Sequence, residues 1–284
     1  MRIVSDFDGV WTNQSGEAEA IRAGFTRDAA LLLGVSEIEA RADFDRFLAR
    51  AHAEPESNGW WPRGFLTAFV DEDELLATGA VAHWLDHSPE SPASARWLAA
   101  LERAGFGSAD DFANAQFGPA MRAHRASGTH RLVPEAREVL DALRARGDEL
   151  FIVSNSPNAK IRAMFEEIEA PEGDWLRFVG DAQKWWIEDP APRWTIGGRT
   201  VHIDRPKYRA ILEKIQPDIV IGDVPSLDLA APAVMRNEGA LPARLRLIMR
   251  RNQRSSPWAL EQVKLRHGER LVDVVVDSIT ALCE

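Results

Sequence analysis

The C-terminal half of the chain switches repeatedly between two hydrophobic periods. In PEAREVLDALRARG (134–147) a proline opens the run, Val139, Leu140 and Leu143 recur at helical spacing, and a glycine closes it, which predicts a helix. ELFIVSN (149–155) follows as a short apolar run ending in small polar residues, the mark of a buried strand. PNAKIRAMFEEIE then returns to the helical period through Ile161, Met164, Phe165 and Ile168. The alternation resumes in RPKYRAILEKIQ, DIVIGD, SLDLAAPAVMRNEG, LRLIMRR and VDVVVDSITALC. Continuous apolar strands separated by helices predict an α/β fold: a parallel sheet with helices on both faces. The N-terminal MRIVSDFD supplies a further strand of that sheet, and RWTIGGRTVHI, with Gly197-Gly198 between two β-rich runs, predicts a hairpin beside it.

Residues 14 to 130 read differently, with helical patterns and no convincing core strands. Ser36 to Glu39 and Ser108 to Asp111 have the form of capping boxes at helix starts, and further helices are predicted at about 71–87 and 92–104. The division is therefore an α/β core of residues 1–13 and 131–284, interrupted by an all-helical domain at 14–130.

Composition narrows the function more than the fold. A 45% hydrophobic and 27% charged chain with interspersed charges is globular, and its formal charge of -10 argues against nonspecific binding to nucleic acid or to an anionic membrane. A small-molecule site is the better expectation. The single cysteine, Cys283, allows no intrachain disulfide, and neither a targeting pattern nor an apolar run of membrane-spanning length is evident. The cytoplasm is the expected compartment; the oligomeric state is left open.

Ligands of open α/β sheets bind at the carboxyl ends of the strands. The first strand ends in Asp6-Phe-Asp8-Gly9, a second in Ser154-Asn155, and a third in Gly222-Asp223, with Asp228 at the next helix start. If these strands are neighbours, four carboxylates and a serine converge. Such a group resists full ionisation without a counter-cation, and Mg²⁺, a hard ion that takes carboxylate and phosphate oxygens, fits the need. Lys207, at the start of the helix before the Asp223 strand, offers another positive charge.

The order DFDGV, IVSN, Lys207 and IGDVPSLD resembles the haloacid dehalogenase-like (HAD) hydrolase superfamily, whose four motifs follow one another in this order on a Rossmann-like sheet. The resemblance covers the first fifteen residues and about 130–284, while 14–130 occupies the place of that family's first cap domain. It implies that Asp6 is a nucleophile forming an aspartyl phosphate and that Asp8 is the general acid and base. Ser154 and the motif lysine would hold the phosphoryl oxygens, with Asn155 and Gly9 as further phosphate contacts. Mg²⁺ would be held by Asp6, the backbone carbonyl of Asp8 and Asp223, with Asp228 completing the metal site directly, through water, or by orienting Lys207. Lys207 is preferred as the motif lysine because it stands at a helix start directly before the last catalytic strand; Lys184, in GDAQKWW, is the rival.

Asp8 favours phosphate esters over halides, because a halide leaves as a stable anion whereas an alkoxide needs a proton. The implied activity is Mg²⁺-dependent hydrolysis of a small phosphorylated metabolite. The alternatives are a phosphomutase acting on a sugar phosphate and a binding or regulatory protein without turnover. Other features have plainer readings. His83 and His87 lie one helical turn apart but lack a third ligand, Trp60-Trp61 and Trp185-Trp186 read first as core or interface, and Arg22, Arg27 and Arg63 read as solvated surface. Trp11 and Thr12, beside the acidic loop, fit either a pocket wall or packing.

Overall fold

A computed structural model describes residues 1–284 apart from 88–90, 129–130, 253–254 and 267. The chain forms two compact units, one of Met1–Asn13 with Arg131–Glu284 and one of Gln14–His130.

The first unit begins with β1 (Arg2–Ser5). The second then contributes α1 (Ser15–Leu33), α2 (Glu37–Ala53), the two-residue strands β2 (Gly59–Trp60) and β3 (Ala68–Phe69), and the helices α3 (Ala77–His87), α4 (Pro92–Arg103) and α5 (Ala109–Ala126). On its return the chain makes α6 (Ala136–Arg146), β4 (Glu149–Val153), α7 (Asn158–Glu166), β5 (Leu176–Val179) and the hairpin β6 (Arg193–Ile196) and β7 (Arg199–His202). It finishes with α8 (Pro206–Ile215), β8 (Ile219–Gly222), α9 (Ala230–Asn237), β9 (Arg246–Arg250), α10 (Pro257–Glu261) and β10 (Val274–Val276).

Among the described residues, the main sheet has six strands in the order β10-β9-β8-β1-β4-β5, and every pairing in it is parallel. The strand that opens the chain is therefore central. Ser5 is in register with Ile152 of β4 on one side and Ile221 of β8 on the other, so the loops after these three strands emerge together. The chain runs from β1 through β4 to β5 on one side and returns to β8, β9 and β10 on the other, which makes the carboxyl end of β1 a switch point of the topology.

The apolar spacing read from the sequence faces the sheet as expected. Val139, Leu140 and Leu143 of α6 and Ile161, Met164 and Phe165 of α7 are buried in one cluster with Ile3, Leu150 and Ile152. Each large apolar side chain so buried contributes about 1.5–3 kcal/mol. Gly147, at φ 75, closes α6 by adopting the left-handed conformation that a side chain disfavours. Trp11 is wholly buried, its ring against Phe165 with centroids 5.5 Å apart and its Nε1 donating to Ser5 Oγ at 2.8 Å. It packs in the core of the first unit.

The second unit has an aromatic core that includes Phe25, Phe44, Phe47, Trp84, Trp97 and Phe112. Ser36 and Ser108 cap their helices by accepting from the amides of Glu39 and Asp111, as their spacing predicted. Two expectations are corrected. The unit is not all-helical, because β2 and β3 pair antiparallel; Gly59 allows it, since a Cβ there would lie 1.9 Å from the carbonyl oxygen of Ala68. The helix expected from about 71 begins as α-helix at Ala77, behind a short turn of Glu74–Leu76 capped by the Asp73 carboxylate. No helix among the described residues is long and apolar enough to cross a membrane.

Candidate active site

β1 and β8 end side by side, and the chain leaves each through a glycine that permits unusually close packing. After β1, the Asp6 amide donates to the Ile221 carbonyl at 2.9 Å, extending the ladder to β8 and fixing the start of the acidic loop. Gly9 then takes φ +75, and a Cβ there would lie 1.9 Å from Asp223 Oδ2. Gly222, the last residue of β8, likewise lies where a Cβ would meet Asp228 Cβ at 2.4 Å. The segment Pro225–Leu229 forms a wide, π-type turn before α9 instead of ordinary α-helix, a form that recurs at functional sites. It returns Asp228 to β8, where Oδ2 accepts from the Val224 amide at 3.1 Å.

These backbone features bring Asp6, Asp223 and Asp228 together, with one ligand atom of each within 4.8 Å of the others. Lys184 binds the group into one network: its Nζ is 2.5 Å from Asp6 Oδ1 and 2.6 Å from Asp228 Oδ1, and its side chain is 1% exposed. The preference for Lys207 is thereby corrected. Lys207 bonds Gln183 Oε1 and stands over the Trp186 ring at 4.0 Å, away from the carboxylates, because its position at the start of α8 directs it to the surface. Lys184 is carried instead on the loop after β5, whose backbone is held by Asn155: the side-chain Oδ1 accepts from the Lys184 amide at 2.8 Å. Asn155, expected as a phosphate contact, is thus engaged in positioning that loop.

Sequence reasoning missed Arg205 as a support. Fully buried, it donates through Nη1 to the Lys184 carbonyl at 2.6 Å, through Nη2 to the Ser226 carbonyl at 3.2 Å, and through Nε to the His202 carbonyl at 3.3 Å. One guanidinium therefore ties the lysine loop to the turn carrying Asp228. Arg250, at the end of β9, does the same for the acidic loop, its Nη1 donating to the carbonyls of Gly9 and Val10, each at 2.7 Å.

Asp8 has a separate set of partners. Lys160 Nζ lies 2.7 Å from Oδ1, Ser156 Oγ donates to Oδ2 at 2.6 Å, and Ser154 Oγ is 3.5 Å from the same oxygen. Ser154 itself accepts from the Ser156 amide at 3.0 Å. Lys160 and Ser156 were not singled out from the sequence, where each reads as a polar residue of a helix start.

The charges explain the electrostatics. Burial pushes the Asp6 carboxyl up to about 7, with Asp228 and Asp8 adding to the shift and Lys184 opposing it. Burial works against the charge on Lys184, but Asp228 and Asp6 outweigh it and hold the ammonium well above its ordinary range. Two of the three carboxyl groups share the one lysine in a largely buried space, and all the donor atoms are hard oxygens. That is the donor set Mg²⁺ takes. His83 does not compete as a metal site: its ring is stacked between Trp61, at 4.3 Å, and His87, at 4.0 Å.

Six parallel strands surrounded by helices, with the acidic loop following the central first strand, give the architecture that the sequence resemblance implied. The core is an α/β fold built on one parallel sheet. No protein-family model matches the chain, and no curated protein sequence does. Among solved structures it is similar to a HAD phosphatase from Thermococcus onnurineus, at 14% identity over 99% of this chain and 95% of that one, with a TM-score of 0.46. It is similar also to the putative HAD-hydrolase YfnB from Bacillus subtilis bound to magnesium, at 11% identity over 99% and 96% of the chains and a TM-score of 0.44. A putative phosphoglycolate phosphatase from Lactobacillus delbrueckii subsp. bulgaricus gives 17% identity over 100% and 95%, with a TM-score of 0.48.

Proposed function

We propose that the protein is a Mg²⁺-dependent phosphomonoesterase that hydrolyses a small phosphorylated metabolite through an aspartyl phosphate on Asp6. The observation that carries this reading is the close group of Asp6, Asp223 and Asp228, in which Lys184 bridges Asp6 and Asp228. Asp6, Asp223 and Asp228 would hold Mg²⁺, which when bound neutralises charge on the phosphoryl oxygens.

Asp6 attacks phosphorus and the bond to the leaving oxygen breaks as the new acyl-phosphate bond forms. Asp8 gives a proton to the departing alkoxide and then takes one from the water that hydrolyses the intermediate. Lys184 balances the charge of Asp6 and Asp228 throughout, and Ser154 stands beside Asp8 at the end of β4. A binding protein would have no use for both a buried nucleophile and a separately held acid. The same reading makes residues 14–130 the cap of the HAD-like architecture and the source of substrate choice.

The test is phosphate release from a panel of sugar, nucleotide and small-acid phosphates, by wild type and Asp6→Asn, with Mg²⁺ and with a chelator. Release that needs both Asp6 and Mg²⁺ is the expected outcome. Isomerised sugar phosphate without release would replace hydrolysis by a mutase reaction, and binding without turnover would replace both.

A further inference from the structure

We infer that Lys160 is a positioning residue that aims Asp8 at the leaving-group oxygen, and that it thereby fits the site to alkyl phosphates, whose leaving groups need a proton. The inference rests on the reading of Asp8 as the acid and base of a phosphatase. Its own support is geometric. The two oxygens of Asp8 are held from separate directions by Lys160 and Ser156, at 2.7 and 2.6 Å, which fixes the plane of the carboxylate as well as its place.

Lys160 comes from the first turn of α7, 152 positions along the chain from Asp8, and its side chain is 5% exposed. The ammonium lies 5.7 Å from the centroid of the Phe7 ring, the residue between Asp6 and Asp8. Exposed ion pairs form and dissolve at little cost, whereas a pair this enclosed holds one geometry. The two lysines divide the labour: Lys184 attends Asp6 and Asp228, and Lys160 attends Asp8. Fixing the nucleophile and fixing the proton carrier are thus separate tasks, given to one residue on a loop and one on a helix.

The separation predicts an effect confined to leaving groups that need the proton. A nitrophenolate departs without protonation, so misaiming Asp8 leaves its release in the first turnover almost untouched, while release of glycerol from glycerol 2-phosphate depends on the transfer; the later hydrolysis of the aspartyl phosphate is the same for both. The experiment compares the full chain with Mg²⁺ on p-nitrophenyl phosphate and on glycerol 2-phosphate, as wild type, Lys160→Met and Lys160→Arg. With enzyme in excess, Lys160→Met is expected to lower the first-turnover rate of glycerol release from glycerol 2-phosphate about 10- to 100-fold, and that of nitrophenolate release from p-nitrophenyl phosphate by less than about threefold. Lys160→Arg, which keeps the charge, is expected to restore most of the loss.

Equal first-turnover losses on both compounds, or no loss on either, would overturn the inference, as would a wild type that serves p-nitrophenyl phosphate alone. Asp6→Asn separates the two levels. If it abolishes both activities while Lys160→Met changes neither, only the role of Lys160 falls; if Asp6→Asn is active, the phosphatase reading falls with it.

Discussion

Gly9 and Asp223 occupy each other's space: a Cβ on the glycine would lie 1.9 Å from Asp223 Oδ2. The absent side chain is what lets the loop after β1 close over the end of β8. Gly9→Ala therefore strains the backbone at φ +75 and displaces a carboxylate of the buried trio. The backbone term alone costs about 1–2 kcal/mol, or about 2–8 °C in Tm for a domain of this size. Phosphate release is expected to fall at least about 100-fold, the scale on which one misplaced group near the reacting atoms acts. Thermal melting and a phosphate assay test both parts; wild-type activity in Gly9→Ala would show that the close approach is dispensable.

Lys184 and Lys207 make a paired prediction. Lys184→Met removes the cation that touches Asp6 and Asp228, and kcat is expected to fall about 100- to 1,000-fold, as for loss of a buried electrostatic group at a reacting centre. Lys207→Met removes a lysine whose partners are Gln183 and the Trp186 ring, and activity is expected to stay within about twofold, as for a surface change. The reverse order of effects would restore Lys207 as the motif residue.

The difference between these lysines marks where the sequence stopped being legible. The strands, their parallel pairing and the three polar strand ends follow from local patterns, because an apolar run between helices has few alternatives to a buried parallel strand. Asp6, Asp223 and Asp228 meet because β1 lies between β4 and β8, an arrangement the strand-end reasoning presupposed. Lys184 could not be ranked in this way. It sits in a loop between β5 and the β6–β7 hairpin, where no period operates, and its direction is set by Asn155 and Arg205, contacts separated from it by 29 and 21 positions. Lys160 was hidden for the opposite reason: it belongs to a regular helix, in which one lysine among polar residues reads as surface. The pairing of Gly59–Trp60 with Ala68–Phe69 escaped notice because two-residue strands carry too little alternation to register.

Arg205 tests whether loop positioning governs the site. Its guanidinium spans the carbonyls of Lys184 and Ser226, and a single ammonium cannot reproduce that fork. Arg205→Lys is expected to destabilise the core by about 3 kcal/mol, the loss of one or two hydrogen bonds from a charged donor, and to lower kcat about tenfold or more. Urea unfolding and kcat, measured on the same preparation, check the coupling. Full activity in a clearly destabilised Arg205→Lys would make the arginine structural only.

The pH response of the metal site follows from the raised Asp6 carboxyl. Its folded value, about 7, lies above the ordinary 3.8, so its contribution to stability in the metal-free protein is full below about pH 4 and is lost as pH rises through 7. A bound cation favours the ionised carboxylate and draws the value down, so Mg²⁺ must displace the proton wherever Asp6 still holds one. Binding at pH 6 is expected to release about one proton per ion, and binding at pH 8.5 almost none, with affinity falling up to about tenfold per unit below pH 7. Calorimetry in buffers of different ionisation enthalpy measures this number directly. Asp6→Asn provides the control, because it removes the titrating group and leaves Asp223 and Asp228 in place. Proton release at pH 6 that persists in Asp6→Asn would assign the coupled proton to another residue.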